Sequence, residues 1–161
     1  MIPLNPWEHQ NVIKTLYGKC VEEICEQYQI TRIELDILLF LANNPRFDTA
    51  TDIIEIRCLS KSHVSSSVKL LEQQGYLRKE YYGHNKKTAH LKISGPALEI
   101  IRAGRAAQER FLAILLEGFS AEEIALMKRY NNRILHNIHA CLSASREKQP
   151  PDADHSEASA N

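Results

Sequence analysis

Within residues 60–93 the hydrophobic period changes once, and that change limits the folds open to the chain. Up to Gly75 the apolar residues follow a helical repeat. With Val64 at 0° and about 100° per residue, Val68 falls at about 40° and Leu71 at about −20°, a tight inner face. Ser62, Ser65, Ser66, Lys69 and Gln73 lie opposite, a face of short hydroxyls, one cation and one amide. Ser60 is placed to cap this helix, and Gly75 suits the left-handed position that ends one. Beyond Gly75 the pattern becomes that of two short strands, residues 76–81 and 88–93. The polar stretch Tyr82-Gly83-His84-Asn85-Lys86-Lys87 joins them as a hairpin loop.

Around this unit the chain reads as helices. In residues 7–29, Ile13, Leu16, Tyr17, Cys20, Ile24 and Tyr28 recur at spacings of three and four and form one apolar stripe. Thr31-Arg32-Ile33-Glu34 has the form of a capping box and opens a second helix, which ends near Asn43-Asn44-Pro45 because proline cannot continue it. Asp48 or Thr49 can cap a short third helix over about residues 50–57. After the hairpin, Ser94 is expected to cap a helix that tolerates Pro96 in its first turn and runs to about Gly118. Ser120-Ala121-Glu122-Glu123, a second capping box, opens a last helix to about Ala144, with Met127, Tyr130, Ile134, Ile138 and Cys141 as its stripe. Residues 145–161, rich in Ser, Ala, Asp, Glu and Pro, are expected to be disordered. The outer helices carry apolar stripes that a small unit cannot cover, so a twofold pairing with a second copy is expected.

Composition narrows the function classes. The 161 residues are 43% hydrophobic and 25% charged, an ordinary globular profile. No run approaches the roughly 20 apolar residues of a membrane span, and the start lacks a signal-peptide pattern, so a cytoplasmic protein with no membrane partner is expected. Net charge is zero, from 20 basic and 20 acidic residues, yet residues 46–94 hold nine Lys/Arg against five acids, a local excess of +4 that can attract phosphates. Cys20, Cys25, Cys58 and Cys141 form no CxxC pair or zinc-ribbon spacing and are expected as thiols.

Residues 49–75 thus have the layout of a helix-turn-helix with a second helix able to enter the major groove, and the hairpin after it is a wing. Here a specific resemblance enters. The run Leu59-Ser60-Lys61-Ser62-His63-Val64-Ser65-Ser66-Ser67-Val68-Lys69-Leu70-Leu71-Glu72-Gln73-Gln74-Gly75-Tyr76-Leu77 resembles the recognition-helix run of the MarR family of bacterial regulators. Residues 82–94 are similar to that family's wing, and the helix order matches over about residues 7–144. The resemblance implies a homodimer whose terminal helices form the interface, two winged helices reading a palindromic site, and often a small phenolic, lipid or oxidant signal that releases DNA. Two departures stand out. Asn85-Lys86-Lys87 replaces the family's Asp-Arg-Arg, and Lys lacks the planar fork of Arg. Cys58 occupies a turn position where the family commonly holds Gly, so it must tolerate an unusual dihedral or reshape the turn.

The expected architecture is mainly α with a small β-hairpin wing. Residues 1–30 are read as an N-terminal dimerisation helix, 31–94 as a winged helix-turn-helix DNA-binding domain and 95–144 as C-terminal dimerisation helices. The expected partner is double-stranded DNA, with Lys61, Ser62, His63, Ser65, Ser66 and Lys69 contacting it from the helix and His84, Asn85, Lys86 and Lys87 from the wing. The expected function is transcriptional repression by a homodimer, with release by a small-molecule effector. The alternatives are a winged-helix protein-interaction module and a regulator without an effector. Cys58, beside a helix N-terminus, is a candidate redox thiol, against the commoner reading of a small buried hydrophobe. His136 and His139 share a helix face but lack a third ligand within a turn, so no metal is expected, nor any cofactor. Trp7 and Tyr17 could line an effector pocket, though aromatics at helical spacing are more often core. The serine cluster lacks a positioned base, and no phosphate loop or HExxH occurs, so the chain is not expected to be an enzyme.

Overall fold

A computed structural model describes residues 9–82 and 87–146. Trp7, His84, Asn85, Lys86 and residues 147–161 lie outside them. The order is α1 (Gln10–Tyr28), α2 (Arg32–Asn43), α3 (Ala50–Arg57), α4 (Lys61–Gln73), β1 (Leu77–Glu80), β2 (His90–Ile93), α5 (Ala97–Leu115) and α6 (Ala121–Arg146). Elements up to Leu115 form one compact unit, and the chain from Leu116 forms a second. The fold is mainly helical with one two-stranded antiparallel sheet among the described residues, a winged helix-turn-helix preceded and followed in the chain by long helices.

The first unit is built around α2. Its segment Leu35–Leu41 is apolar at every position but Asp36, and such a helix must be covered on nearly all sides. Leu35, Ile37, Leu38 and Leu39 are almost wholly enclosed, by Val21 and Ile24 of α1, Ile53 of α3, Leu71 of α4, Leu91 of β2 and Ile100 of α5, among others. Each large side chain buried in this way contributes about 1.5–3 kcal/mol. Glu34, also buried, is the acid of the expected capping box: its carboxylate accepts from the Thr31 N–H at 2.7 Å, and its own N–H donates to Thr31 Oγ1 at 3.3 Å.

α5 lies close against α2 because Gly104 has no side chain: a Cβ there would sit 3.0 Å from Leu39 Cδ2 and 3.1 Å from Leu35 Cδ1. The next residue, Arg105, closes the end of α2. Its guanidinium donates to the Ala42 carbonyl and to Asn43 Oδ1, both at 3.1 Å, where the helix dipole favours a cation. Tyr17 of α1 joins the same region. Its hydroxyl donates to Asp36 Oδ1 at 3.0 Å, its ring meets Phe111 edge-on at 5.3 Å, and the Arg32 guanidinium lies 4.8 Å from its centroid. Burial, reinforced by the Asp36 charge, pushes the Tyr17 phenol up to about 12.

Several boundaries differ from expectation. Within α1 the best-buried residue is Val21, outside the expected stripe, while Ile13 is 42% exposed, since only the later turns of the helix are enclosed in this unit. α5 begins after Pro96 and stops at Leu115; Gly118, at φ +83, falls in the following turn. The strands are four residues each. In the second unit, the capping box of α6 forms as expected, with the Ser120 N–H donating to Glu123 Oε2 at 2.8 Å and the Glu123 N–H to Ser120 Oγ at 3.3 Å. α6 continues to Arg146, and Tyr130, Ile134, Leu135 and Ile138 are about half exposed along it. No described helix is long and apolar enough to cross a membrane.

Candidate nucleic-acid interface

The interface begins with two caps and a turn. Thr49, not Asp48, caps α3: the Asp52 N–H donates to Thr49 Oγ1 at 3.2 Å and the Thr49 N–H to Asp52 Oδ2 at 2.9 Å, a box the sequence reading did not anticipate. α3 ends at Cys58, which adopts the left-handed conformation at φ 51° and ψ 38°. A non-glycine residue therefore carries the dihedral that the turn demands. Cys58 is exposed, so the buried-hydrophobe reading does not apply, and its Sγ lies 3.8 Å from the Glu55 carbonyl oxygen. Ser60 then caps α4, its hydroxyl accepting from the His63 N–H at 3.3 Å.

α4 divides as its periodicity demands. Val64, Val68 and Leu71 are buried, while Lys61, Ser62, His63, Ser65, Ser66 and Lys69 are all exposed. Ser67, counted with the other serines on sequence, is buried at 7% and belongs to the inner side. Gly75, at φ +77, lets the chain leave the helix and enter β1. In the hairpin Leu77 pairs with Ile93, Arg78 with Lys92, Lys79 with Leu91 and Glu80 with His90. Leu77 and Leu91 anchor it in the core. Lys87 is exposed; His84, Asn85 and Lys86 lie outside the described residues.

Three of the nine cations in residues 46–94 are engaged by acids of the same segment, which leaves the net excess unchanged but limits which cations are available. Lys79 Nζ sits 2.6 Å from Glu72 Oε2, Arg78 Nε 2.9 Å from Glu80 Oε1, and Lys92 Nζ 2.6 Å from Asp48 Oδ2. No acid lies within ion-pair distance of Lys61 or Lys69 among the described residues. The available cations of α4 are thus on its outer face. Between α3, α4 and the hairpin runs a groove of about 220 Å³, with Ile54, Val68 and Leu91 in its wall and Lys61, Ser65 and Lys79 beside them.

Sequence reasoning missed the root of the wing. Asp48 accepts from Lys92 through Oδ2 and lies 2.7 Å from His90 Nδ1 through Oδ1, and its carbonyl accepts the Leu91 N–H at 2.6 Å. Burial acts to raise the Asp48 carboxyl, but the hydrogen bonds from Lys92 and His90 outweigh it and hold the group below the usual carboxylate range. Tyr82 completes the group, its ring centroid 4.7 Å from that of His90 and its hydroxyl donating to Glu80 Oε2 at 2.9 Å. Elsewhere, α1 and the start of α2 border an open groove of about 680 Å³ that includes Lys14, Lys19, Val21, Ile30 and Arg32. No set of three His, Cys, Asp or Glu side chains among the described residues could hold a metal ion.

A family model described as the MarR family matches residues 28–81, the stretch from the end of α1 to the end of the first wing strand. Over these residues the chain is similar to the MarR family. The resemblance read from the residues of α4 is thereby shown for the helix-turn-helix and its first strand. No curated protein matches the chain. Among solved structures, an uncharacterised SlyA-like transcription regulator from Listeria monocytogenes superposes with a TM-score of 0.77 at 18% identity, covering 93% of this chain and 99% of that one. A putative MarR family transcriptional regulator from the same organism, complexed with 26mer DNA, gives 0.73 at 17% identity, covering 89% and 94%. The S. aureus MepR–DNA complex gives 0.69 at 17% identity, covering 84% and 96%. At these identities the likeness establishes that MarR-family proteins share the fold of the present chain.

Proposed function

We propose that this chain is a DNA-binding transcriptional regulator that acts as a homodimer, represses by occupying a palindromic operator and is released by a small-molecule effector. The observation that carries the reading is the outer face of α4. Lys61, Ser62, His63, Ser65, Ser66 and Lys69 all project outward from a helix whose other side is fixed in the core. Serine hydroxyls suit phosphate oxygens and base edges, and Lys69 can reach a guanine or a phosphate. The wing would add His84, Asn85, Lys86 and Lys87 along the backbone. Two structural neighbours bound to DNA support the assignment.

Pairing is supported by apolar side chains that a single chain leaves in water. Val12 and Ile13 of α1, Leu112 and Ile114 of α5, and Ile134 and Ile138 of α6 are each at least 42% exposed. We assign residues 1–30 and 95–144 to that pairing and 31–94 to DNA. The two copies of α4 would then enter successive major grooves about one helical turn apart. An effector that changed their separation would misalign both half-sites at once. The groove of about 680 Å³ beside α1, lined by Lys14, Lys19 and Arg32 together with Glu22, Glu26, Val21 and Ile30, has room for a small-molecule effector. The reading places the protein in the cytoplasm and assigns it no reaction and no cofactor.

Selection of binding sites from random-sequence DNA by the purified protein tests this. The expected product is a palindrome with half-site centres about 10 base pairs apart. Recovery of no motif, under salt low enough to retain non-specific binding, would remove the sequence-reading claim.

A further inference from the structure

The hairpin is too small to hold its own direction. Two four-residue strands form a marginal structure in water, and the residues assigned to DNA lie beyond them, in the connection. β1 is anchored by Leu77 in the core and by the Lys79–Glu72 ion pair to α4. β2 has a different anchor, on the side away from β1. The linker between α2 and α3 runs along it, with the Leu91 N–H donating to the Asp48 carbonyl and an isolated bridge joining Thr49 to His90.

We infer that Asp48 is the positioning residue of the wing, aiming its terminal cations at the DNA backbone by clamping β2 to the linker before α3. The argument rests on the DNA-binding reading above and on geometry. Side chains two apart on a strand share a face, and one carboxylate spans such a pair here, Oδ1 to His90 and Oδ2 to Lys92. A contact at one point would let the strand roll about its axis; a two-point contact prevents it. Thr49, the next residue, is the cap of α3, so the clamp ties the strand directly to the start of the helix-turn-helix. Just beyond β1 the Tyr82 ring lies tilted against His90, and its hydroxyl donates to Glu80, the register partner of His90. The end of β1 and the start of β2 are therefore both held. A wing held in this way brings Lys86 and Lys87 to the phosphates without first having to order its root, which lowers the entropic cost of their contacts.

Asp48 touches no DNA in this scheme, so its effect must pass through the wing, and a double-mutant cycle tests that. The full chain is measured on the tightest duplex recovered by selection from random-sequence DNA. Asp48→Ala is made alone and in the Lys86→Ala/Lys87→Ala background. In a homodimer Lys86→Ala/Lys87→Ala removes about four phosphate contacts, two from each protomer, and lowers the salt slope by about 3.6, so a fourfold rise in salt should weaken the wild type about 150-fold more than it weakens this variant. Asp48→Ala alone should reproduce most of that change, and in the wing-deleted background should add less than about twofold. Asp48→Glu, which keeps a carboxylate, should recover part of the lost slope, and Lys92→Met should resemble Asp48→Ala. Thermal denaturation by circular dichroism identifies the range in which every variant is folded. Equal losses from Asp48→Ala in both backgrounds would refute action through the wing. So would an unchanged affinity and salt slope in a wild-type chain that binds DNA normally. Failure of the wild-type chain to bind DNA at all would overturn this inference together with the DNA-binding reading.

Discussion

Replacing Cys58 with glycine should stabilise the protein relative to replacing it with alanine, and the structure sets the size of the effect. At φ 51° and ψ 38°, Cys58 holds a conformation that costs a residue with a Cβ about 1–2 kcal/mol. Glycine removes that strain but gains freedom in the unfolded chain, which offsets about 0.4–1 kcal/mol. The side chain adds little to the balance, since it is exposed and its only described contact is a thiol 3.8 Å from the Glu55 carbonyl. The net expectation is that Cys58→Gly exceeds Cys58→Ala by about 0.5–1 kcal/mol, with Cys58→Ala close to wild type. For a chain of this size that is roughly 1–4 °C in Tm. Differential scanning calorimetry at one fixed protein concentration measures it, because association would make Tm depend on concentration. Asn, which tolerates the left-handed region, should fall between the two. A Cys58→Gly protein no more stable than Cys58→Ala would show that this turn does not carry the strain its dihedrals indicate.

Other perturbations test the core, the charges and the contact face. Leu71→Ala removes a fully enclosed side chain from the inner face of α4 and should cost about 2–5 kcal/mol, read from the urea midpoint. Lys69→Ala, on the outer face, should leave that midpoint unchanged within about 0.5 kcal/mol while lowering the salt slope of DNA binding by about 1.8, one contact from each protomer of the dimer; an unaltered slope would place Lys69 away from the phosphates. Asp48 and Asp36, both in the first unit, should respond to pH in opposite directions. Asp48 has a folded-state value below that of the unfolded chain, so it contributes stability above about pH 3.9 that is lost as the pH falls through its folded value. Asp36 is raised, chiefly by burial, so its ionisation opposes folding and the penalty is relieved on acidification through its raised value. Chemical denaturation between pH 3 and 7 should therefore show a shallower acid loss for Asp48→Asn and a steeper one for Asp36→Asn, each relative to wild type.

The parts of the fold that were legible in sequence are those fixed by neighbouring residues. Thr31 with Glu34, Ser120 with Glu123, and Ser60 with Gly75 are local signals, and each marks a helix end where it was read. The unusual dihedral at Cys58 was legible only through the resemblance, since the related family commonly holds Gly at that turn position. What could not be read depends on distance along the chain. Asp48 meets His90 and Lys92 across 42 and 44 residues, and no pattern near Asp48 distinguishes a clamp from a helix cap. Periodicity marked a stripe on α1 but could not tell which turns would be enclosed, so Val21 was missed and Ile13 was included. Counting charges could not foresee that Arg78, Lys79 and Lys92 would be engaged by Glu80, Glu72 and Asp48.

The grip of Arg105 on the end of α2 has a mechanical consequence. That end leads through Asn44 and Pro45 into the linker whose far end, at Asp48, holds β2. The linker is thus a short strut pinned at both ends, one pin on α5 and the other on the wing. Gly104 sets α5 hard against α2, so rotation of α5 about its own axis has little slack to take up before it loads the first pin. A twist applied there would load this strut alongside the packing of α2 on α4, giving the wing a second tie to α5.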